Sequence, residues 1–219
     1  MPVPETAGWP VPSWWNPSGD RRGDDGFGVL EDGYLRQSEH EALAWATAKG
    51  LTPSAAGLRD DEIEAVRTYS DGISHVEINA NFYDRLETPV NRMLRSALGR
   101  IPIPDPVTVW RGAGFKLFGY PVDESPLDGR DIRHAVGRVF DHRPPISSSA
   151  GNALVPKGEA QPVWYKLRIR PGVRGLYIPE IAVKGSEERE LLLAPDTRVH
   201  IDRAEFCSGK WFVLATALS

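Results

Sequence analysis

The segment Val-Trp-Tyr-Lys-Leu-Arg-Ile at residues 163–169 predicts a β-strand and indicates the fold of the second half of the chain. From Tyr165 onward, apolar or aromatic side chains alternate with charged ones, which places the apolar set on one face of a strand. Six more short apolar runs bounded by turn residues predict strands as well. These runs are residues 107–110, 138–140, 175–178, 190–193, 198–201 and 211–214.

Helical signals fill the part of the chain before residue 100. Ser38 opens a capping box in front of the apolar residues 42–46, and Gly50 supplies a stop signal. Three more helices are expected over about residues 60–69, 74–86 and 88–98. The last of them has Thr88 as its N-cap and Pro89 at its first position. Helices first and strands afterwards predict an α+β fold.

The composition is that of a globular protein of modest charge. The 219 residues include 26 Lys and Arg against 30 Asp and Glu, which gives a formal net charge of −4, and 41% are apolar. This balance argues against a nucleic-acid surface dominated by phosphate contacts. The single cysteine, Cys207, excludes an internal disulfide, and the Cys/His spacing predicts no metal. No apolar run reaches the roughly 18 residues of a membrane span, so we expect a soluble protein with no membrane partner.

The prolines divide the chain. Of the 19 prolines, five lie in residues 1–20, two in residues 21–100 and twelve in residues 101–200. Because proline breaks helices and central strands, this distribution supports a helical part up to about residue 100 and short strands after it. We expect a Pro/Trp/Gly-rich segment over residues 1–30 and a single domain over residues 31–219. The first segment is predicted to be a linker, or a strap whose tryptophans dock on the domain.

Three short motifs lie on or beside predicted strands. Arg111 ends a strand and is followed by Gly112, three consecutive serines occupy residues 147–149, and Glu188 and Glu190 flank an arginine. Each motif has an ordinary structural explanation. An arginine beside an aromatic residue is usually a solvated pair, three serines usually form a turn, and a run of charges is usually an exposed loop.

The two glutamates carry a stronger chemical signal than the other motifs. In a strand, residues i and i+2 point to the same face, so Glu188 and Glu190 would project together, about 6–7 Å apart. Two carboxylates this close repel each other unless a cation lies nearby, and a cationic reaction centre would supply one. An arginine can bind phosphates, and a serine hydroxyl can orient a glutamate. Together with the carboxylate pair, these residues suit the cleavage of a glycosidic bond in a phosphorylated cofactor.

In their order along the chain, the arginine, the Ser-x-Ser and the Glu-x-Glu resemble the R-S-E class of mono-ADP-ribosyltransferases. Within this class, the chain is similar to the bacterial exoenzyme family that includes the clostridial binary actin toxins such as iota toxin. The resemblance covers about residues 38–217. Tyr69-Ser70 followed by Ile78-Asn79 is similar to the family's tyrosine and Ile-Asn signature, and residues 190–197 resemble the stretch after its catalytic glutamate.

The resemblance implies the ADP-ribosyltransferase fold, in which an N-terminal helical lobe precedes a β-sandwich core of two steeply crossed sheets that form an NAD cleft. Arg111 would bind the NAD phosphates, the backbone of Gly112 would approach the nicotinamide amide, and Ser147 would orient Glu190. Glu190 would hold the 2′-hydroxyl of the nicotinamide ribose and stabilise an oxocarbenium-like transition state. Three further NAD contacts are implied: Asn79, Ser149 and Lys157.

The resemblance also indicates the acceptor. In this family a glutamate two residues before the catalytic one goes with arginine acceptors, and Glu188 holds that position. A second carboxylate can bind a guanidinium and help it to lose a proton as it attacks. A loop over residues 181–189 would meet the target protein. The residues of this loop that we assign to target recognition are Lys184, Gly185, Ser186 and Glu187.

The sequence therefore predicts a mono-ADP-ribosyltransferase that uses NAD to modify an arginine of a target protein. Because the N-terminus lacks the order of a secretory signal, we expect a bacterial toxin or effector that leaves the cell by a non-Sec route and acts in the target cytoplasm. A cognate immunity or carrier protein is a candidate second partner. The alternatives are an NAD glycohydrolase, a transferase with a non-arginine or nucleic-acid acceptor, and a non-catalytic binding module.

Overall fold

The computed structural model describes residues 12, 14, 15, 28–29, 35–36, 41–118, 131–150, 161–183 and 189–219. The helices are α1 Glu41–Ala48, α2 Asp60–Ser70, α3 His75–Tyr83 and α4 Pro89–Leu98. The strands are β1 Gly28–Val29, β2 Leu35–Arg36, β3 Val107–Ala113, β4 Val139–His142, β5 Ile146–Ser149, β6 Val163–Ile169, β7 Gly175–Tyr177, β8 Glu190–Leu193, β9 Thr197–Cys207 and β10 Lys210–Leu218. None of the helices within these residues is long and apolar enough to cross a membrane.

The predicted order of helices and strands is confirmed. All four helices form within the predicted stretches, and the Thr88 hydroxyl accepts a hydrogen bond from the Asn91 backbone N–H at 3.2 Å, as an N-cap should. The seven predicted strands are all present, two of them with the predicted bounds. The structure adds β1, β2 and β5, the last of which contains the three serines, whose ordinary explanation would be a turn. The capping residue Ser38 lies outside the described residues.

The strands fall into two groups that meet at a single residue pair. Hydrogen bonding runs in the order β4-β9-β10-β6-β3-β5-β8-β7. Strands β3 and β5 are joined only where Trp110 pairs with Ser149. The first group, β4, β9, β10, β6 and β3, corresponds to one predicted sheet, and the second group, β5, β8 and β7, corresponds to the other. Hydrogen bonding continues from one group to the other through this pair. Because Arg111 follows Trp110 directly, this junction lies at the predicted site.

Two apolar cores hold the helices against the strands. The larger core packs α1 against side chains from β3, β6, β9 and β10, and the smaller core packs α2, α3 and α4 against β7 and β8. Among the helices of the smaller core, the side chain of Glu62 is fully buried. Its carboxylate accepts hydrogen bonds from the Ser96 hydroxyl at 2.6 Å and from Arg100 at 2.6 and 2.7 Å. This carboxylate therefore ties α2 to α4 and to the chain that follows α4.

The β9–β10 hairpin shows how local sequence sets strand pairing. Cys207 pairs with Lys210, so Ser208 and Gly209 form a two-residue turn. Both have positive φ, 51° for Ser208 and 80° for Gly209, which is the conformation of a type I′ turn. The turn matches the right-handed twist of the strands, and β10 then pairs with β6 in parallel.

A third apolar cluster explains part of the N-terminal segment. Trp15 is 2% exposed and packs against Trp110, Trp164 and Phe212, with ring centroids 5.1, 6.2 and 5.0 Å away. The neighbouring Trp14 donates its indole N–H to Glu205 at 3.0 Å. Of the two possibilities for this segment, docking on the domain is the one observed for these tryptophans.

We expect Trp15→Ala to lower the free energy of unfolding by about 2 kcal/mol. The substitution removes a buried aromatic side chain that packs against Trp110, Trp164 and Phe212, and the loss of this buried surface destabilises the folded state. Urea unfolding measures the change. Val76→Ala, at a side chain that is 66% exposed, serves as a control and should change stability by less than about 0.5 kcal/mol. Equal stability of the Trp15 variant and the wild type would contradict the docking.

Candidate active site

The junction of the two strand groups brings the three predicted motifs together. Ser149 pairs with Trp110 of β3 on one side and with Glu190 of β8 on the other. Arg111 is the next residue of β3, opposite Tyr165 of β6. A cation and a carboxylate that are 79 residues apart in sequence therefore lie on strands separated only by β5.

Arg111 is held by the serine strand. One of its terminal nitrogens, Nη1, donates a hydrogen bond to the backbone carbonyl of Ser147 at 3.0 Å. The side chain is half-buried, so its charge acts through a partly desolvated environment. The next residue, Gly112, lies in β3 opposite Trp164. Fixing the guanidinium on a carbonyl leaves its other N–H groups to bind an anion bidentately.

The three serines are divided between two faces of β5. Ser147 and Ser149 share one face, while the Ser148 hydroxyl turns to the other and donates to the Leu191 carbonyl at 2.8 Å. In the β5–β8 register, Ser149 is directly opposite Glu190, and Ser147 is opposite Leu192. The hydroxyl across from Glu190 therefore belongs to Ser149. The orienting role assigned to Ser147 stays a prediction.

Glu190 is the first residue of β8 and is 6% exposed. Its backbone carbonyl accepts a hydrogen bond from the Ile178 N–H at 2.9 Å, which fixes the start of the strand between β5 and β7. A carboxylate at such a buried position stabilises positive charge strongly, because little water screens it.

Arg189, between the two glutamates, has an unusual backbone conformation. β8 begins at Glu190, and Arg189 has a φ of 43°, in the left-handed region that few non-glycine residues adopt. The shared face expected for Glu188 and Glu190 stays a prediction, because Glu188 lies outside the described residues. Six predicted site residues, Glu188 among them, lie outside the described residues: Lys157, Lys184, Gly185, Ser186, Glu187 and Glu188.

The tyrosine and the Ile-Asn signature meet in space. The Tyr69 hydroxyl of α2 lies 3.1 Å from the Asn79 amide oxygen of α3 and 3.2 Å from the carbonyl oxygen of Pro145. Burial raises the pKa of Tyr69; the charge of Arg111 opposes this rise and that of Glu190 adds to it. The hydroxyl therefore stays protonated and donates. It ties the helices, and Asn79 with them, to the entry of β5.

A cavity of about 420 Å³, counting the part open to solvent, lies beside Arg111. Its walls include Tyr83, His142 and Tyr165, none of which was identified from the sequence as a site residue. Lys116 lies over the Tyr83 ring, with its amino nitrogen 3.9 Å from the ring centroid. The only sequence signal for Tyr165 was its place on the apolar face of residues 163–169. For His142, no local signal exists.

Two of the polar residues that line this cavity are unusual for such buried positions. Tyr165 is 4% exposed, and its hydroxyl has no hydrogen-bond partner among the residues that the structure describes. His142 is 6% exposed, and its Nδ1 lies 2.9 Å from the Pro144 carbonyl oxygen. Burial, reinforced by the charge of Arg111, lowers the pKa of His142 to about 3. Burial raises the pKa of Tyr165, and Arg111 works against that rise.

The described side chains supply charges of both signs at the site. Among the residues that the structure describes, no group of three or more His, Cys, Asp or Glu side chains could hold a metal ion. What these residues offer is a fixed guanidinium for an anionic group and a buried carboxylate for developing positive charge. This combination suits the cleavage of a bond between a phosphorylated sugar and a cationic leaving group.

Comparisons with known proteins agree with this geometry. The sequence model of the ADP-ribosyltransferase exoenzyme family matches residues 60–216. Plx2a, an ADP-ribosyltransferase toxin from Paenibacillus larvae, is 22% identical, with a TM-score of 0.70 over 83% of this chain and 96% of that one. The Clostridium limosum C3 exoenzyme is 17% identical, with a TM-score of 0.69 over 85% and 98%. C3stau2 from S. aureus, solved with NAD, is 15% identical, with a TM-score of 0.67 over 85% and 99%.

The structural matches establish the fold, and the family match establishes the family. The sequence matches no curated protein. The family match covers well over half of the chain and includes Tyr69, Arg111, Ser147 and Glu190. The chain therefore belongs to the ADP-ribosyltransferase exoenzyme family.

Proposed function

We propose that this protein is a mono-ADP-ribosyltransferase that cleaves NAD and transfers ADP-ribose to an arginine side chain of a target protein. The observation that carries the proposal is the junction at Ser149, which links the strand of Arg111 to the buried Glu190. We further propose that it acts as a toxin or effector on a protein inside a target cell. Plx2a, which shares its fold, is described as a toxin.

The residues at the junction fit NAD as the substrate. Arg111 offers a half-buried guanidinium to the pyrophosphate. The charged, bidentate hydrogen bonds that arginine makes to phosphate are stronger than hydrogen bonds between neutral groups. The cavity beside it is lined by aromatic, apolar and polar side chains, and the Tyr165 hydroxyl has no hydrogen-bond partner among the described residues, so a polar part of the substrate can be bound there. C3stau2, which has the same fold, was solved with NAD.

The reaction breaks the bond between C1′ of the ribose and the nicotinamide nitrogen. Nicotinamide leaves with the bonding electron pair and becomes neutral, so no general acid is needed. Glu190 stabilises the positive charge that develops on the ribose, as carboxylates do in glycosidases. The acceptor nitrogen then bonds to C1′ and loses a proton to a base. Ser149, across from Glu190, and Ser147 on the same face of β5 are the hydroxyls available to orient the carboxylate.

The acceptor assignment rests on Glu188. A carboxylate beside the reacting ribose can bind a guanidinium and take its proton during attack. Arg189, directly before Glu190, has a left-handed φ of 43°. Glu188 comes one residue earlier in the sequence, which keeps it within two residues of the buried Glu190.

We expect Glu188→Gln to lower transfer to agmatine, a small arginine analogue, about 100-fold, and to lower nicotinamide release without acceptor less than about tenfold. One lost general base accounts for a loss of this size. Labelled NAD, followed by separation of free nicotinamide from ADP-ribosyl-agmatine, measures both rates. Glu64→Gln, on the exposed side of α2, is the matched control and should change neither.

Two outcomes of this assay would change the assignment. Equal losses of both rates in the Glu188 variant would contradict its role toward the acceptor. Nicotinamide release that agmatine does not alter, with no labelled agmatine formed and no label on lysate proteins, would instead establish an NAD glycohydrolase. Mass spectrometry of labelled lysate proteins identifies the modified residue, and modification of a residue other than arginine would contradict the proposed acceptor.

A further inference from the structure

The buried hydroxyl of Tyr165 has no hydrogen-bond partner within the part of the chain that the structure describes. Burying a hydroxyl without a hydrogen bond destabilises a protein, so such a group calls for an explanation, and a ligand can supply the missing partner. The Tyr165 ring stacks on Phe118, with centroids 6.3 Å apart and ring planes 9° from parallel. Tyr165 also lines the cavity beside Arg111, so a ligand in this cavity lies next to the side chain.

His142 supplies the complementary group at the same cavity. Its Nδ1 lies 2.9 Å from the Pro144 carbonyl, and because a carbonyl oxygen only accepts, Nδ1 carries the hydrogen. The ring is buried and neutral, so its Nε2 has no hydrogen and acts as an acceptor. The cavity therefore offers an acceptor, a hydroxyl that can donate or accept, and the positive charge of Arg111.

We propose that Tyr165 and His142 form a subsite for a ribose hydroxyl of NAD. A ribose hydroxyl both donates and accepts, so it can satisfy His142 and Tyr165 together, whereas a phosphate has no hydrogen for the His142 acceptor. Arg111 on the same wall favours a group attached to a phosphate. The remaining walls are apolar except for Tyr83, whose hydroxyl is a further polar group available to the ligand, and the apolar side chains include Leu167 and Val199. This inference rests on NAD being the substrate.

The first test is Tyr165→Phe, with NADH as the probe because its neutral nicotinamide ring is a poor leaving group. We expect the Kd for NADH to rise about fivefold to tenfold, the loss of one hydrogen bond. We also expect the unliganded variant to be as stable as the wild type or more so, because the deleted hydroxyl has no hydrogen-bond partner among the described residues. Isothermal titration gives the Kd and thermal unfolding gives the stability.

The second test is His142→Asn, which keeps a side-chain N–H for the Pro144 carbonyl and removes the Nε2 acceptor. We expect a similar rise in the Kd for NADH. Each group makes its own hydrogen bond to the shared hydroxyl, so the double variant should bind NADH more weakly than either single variant. If both groups hold the same hydroxyl, we expect the combined loss to differ from the sum of the two single losses, because the remaining bond can reorient once its neighbour is gone. Tyr177→Phe, at a buried tyrosine that does not line the cavity, is the control and should leave the Kd unchanged.

Titrations with ADP and with reduced nicotinamide mononucleotide identify which ribose enters the subsite. Weaker binding of ADP by the Tyr165 and His142 variants assigns the adenosine ribose, and weaker binding of the mononucleotide assigns the nicotinamide ribose. If wild type and both variants bind NADH equally well, the subsite is wrong while the proposed function stands. A folded wild type that binds none of the three nucleotides would overturn both.

Discussion

Glu190→Gln lowers the rate of nicotinamide release from NAD about 1,000-fold or more, the largest effect expected from a single substitution in this chain. The change replaces one oxygen by an NH₂ group and keeps the shape of the side chain. It removes the negative charge at a position that is 6% exposed, where charge acts with little screening. The loss should appear in kcat and in kcat/KM alike, because the interaction forms in the transition state.

The effect must come from chemistry and not from misfolding. Glu190 opens β8, and its backbone rather than its carboxylate makes the hydrogen bond to Ile178, so the amide variant should keep the strand. Thermal unfolding checks this. Glu64→Gln, an exposed change of the same kind, is the matched control. A Glu190 variant that folds and retains a tenth or more of the wild-type rate would contradict the role given to this carboxylate.

Glu62→Gln should lower the free energy of unfolding by about 3 kcal/mol at neutral pH, the second large effect. The fully buried carboxylate accepts hydrogen bonds from Ser96, Arg100 and the backbone N–H of Arg59. Removing one partner of a buried ion pair leaves the other without compensation. The guanidinium of Arg100 is 33% exposed and keeps part of its hydration, so the loss falls at the low end of the usual range.

The loss in the Glu62 variant should depend on pH. Burial is the largest influence on the Glu62 carboxyl and raises its pKa, but the hydrogen bonds and the charge of Arg100 outweigh it, so the pKa lies below its ordinary value of 4.5. A pKa lowered on folding stabilises the protein above the unfolded-state value, and the gain is lost as pH falls through the folded-state value. Urea unfolding at several pH values should show the full difference from wild type above about pH 4.5 and a smaller one below. A difference that grows in acid would contradict this assignment.

Local signals account for most of the fold. The alternation in residues 163–169 and the Thr88-Pro89 start of α4 predicted elements that form with those bounds, because side-chain periodicity and capping act within a few residues. β5 escaped prediction because consecutive serines satisfy turns as well as strands. β5 forms a strand because it pairs with β3 at Trp110 on one side and with β8, including Glu190, on the other.

The sequence motifs predicted which parts of the chain carry the candidate site, but not the backbone conformation at Arg189 or the cavity beside Arg111. Arg111 and Glu190 were predicted from their order along the chain, and the structure places them around one junction. The left-handed φ of Arg189 could not be predicted from a run of charged residues, because these side chains do not indicate that conformation. Tyr165 and His142 were missed because their cavity depends on the packing of distant strands, which local patterns do not record.

The release of nicotinamide from NAD by the folded wild-type protein tests the central claim most directly. With agmatine present, we expect nicotinamide and ADP-ribosyl-agmatine to form together, and we expect the Glu190→Gln protein to form neither at a measurable rate. Arg111 and Glu190 would then act on one substrate at the junction where the structure joins them. A folded wild-type protein that leaves NAD intact, both with agmatine and with host-cell lysate as the acceptor, would contradict the claim.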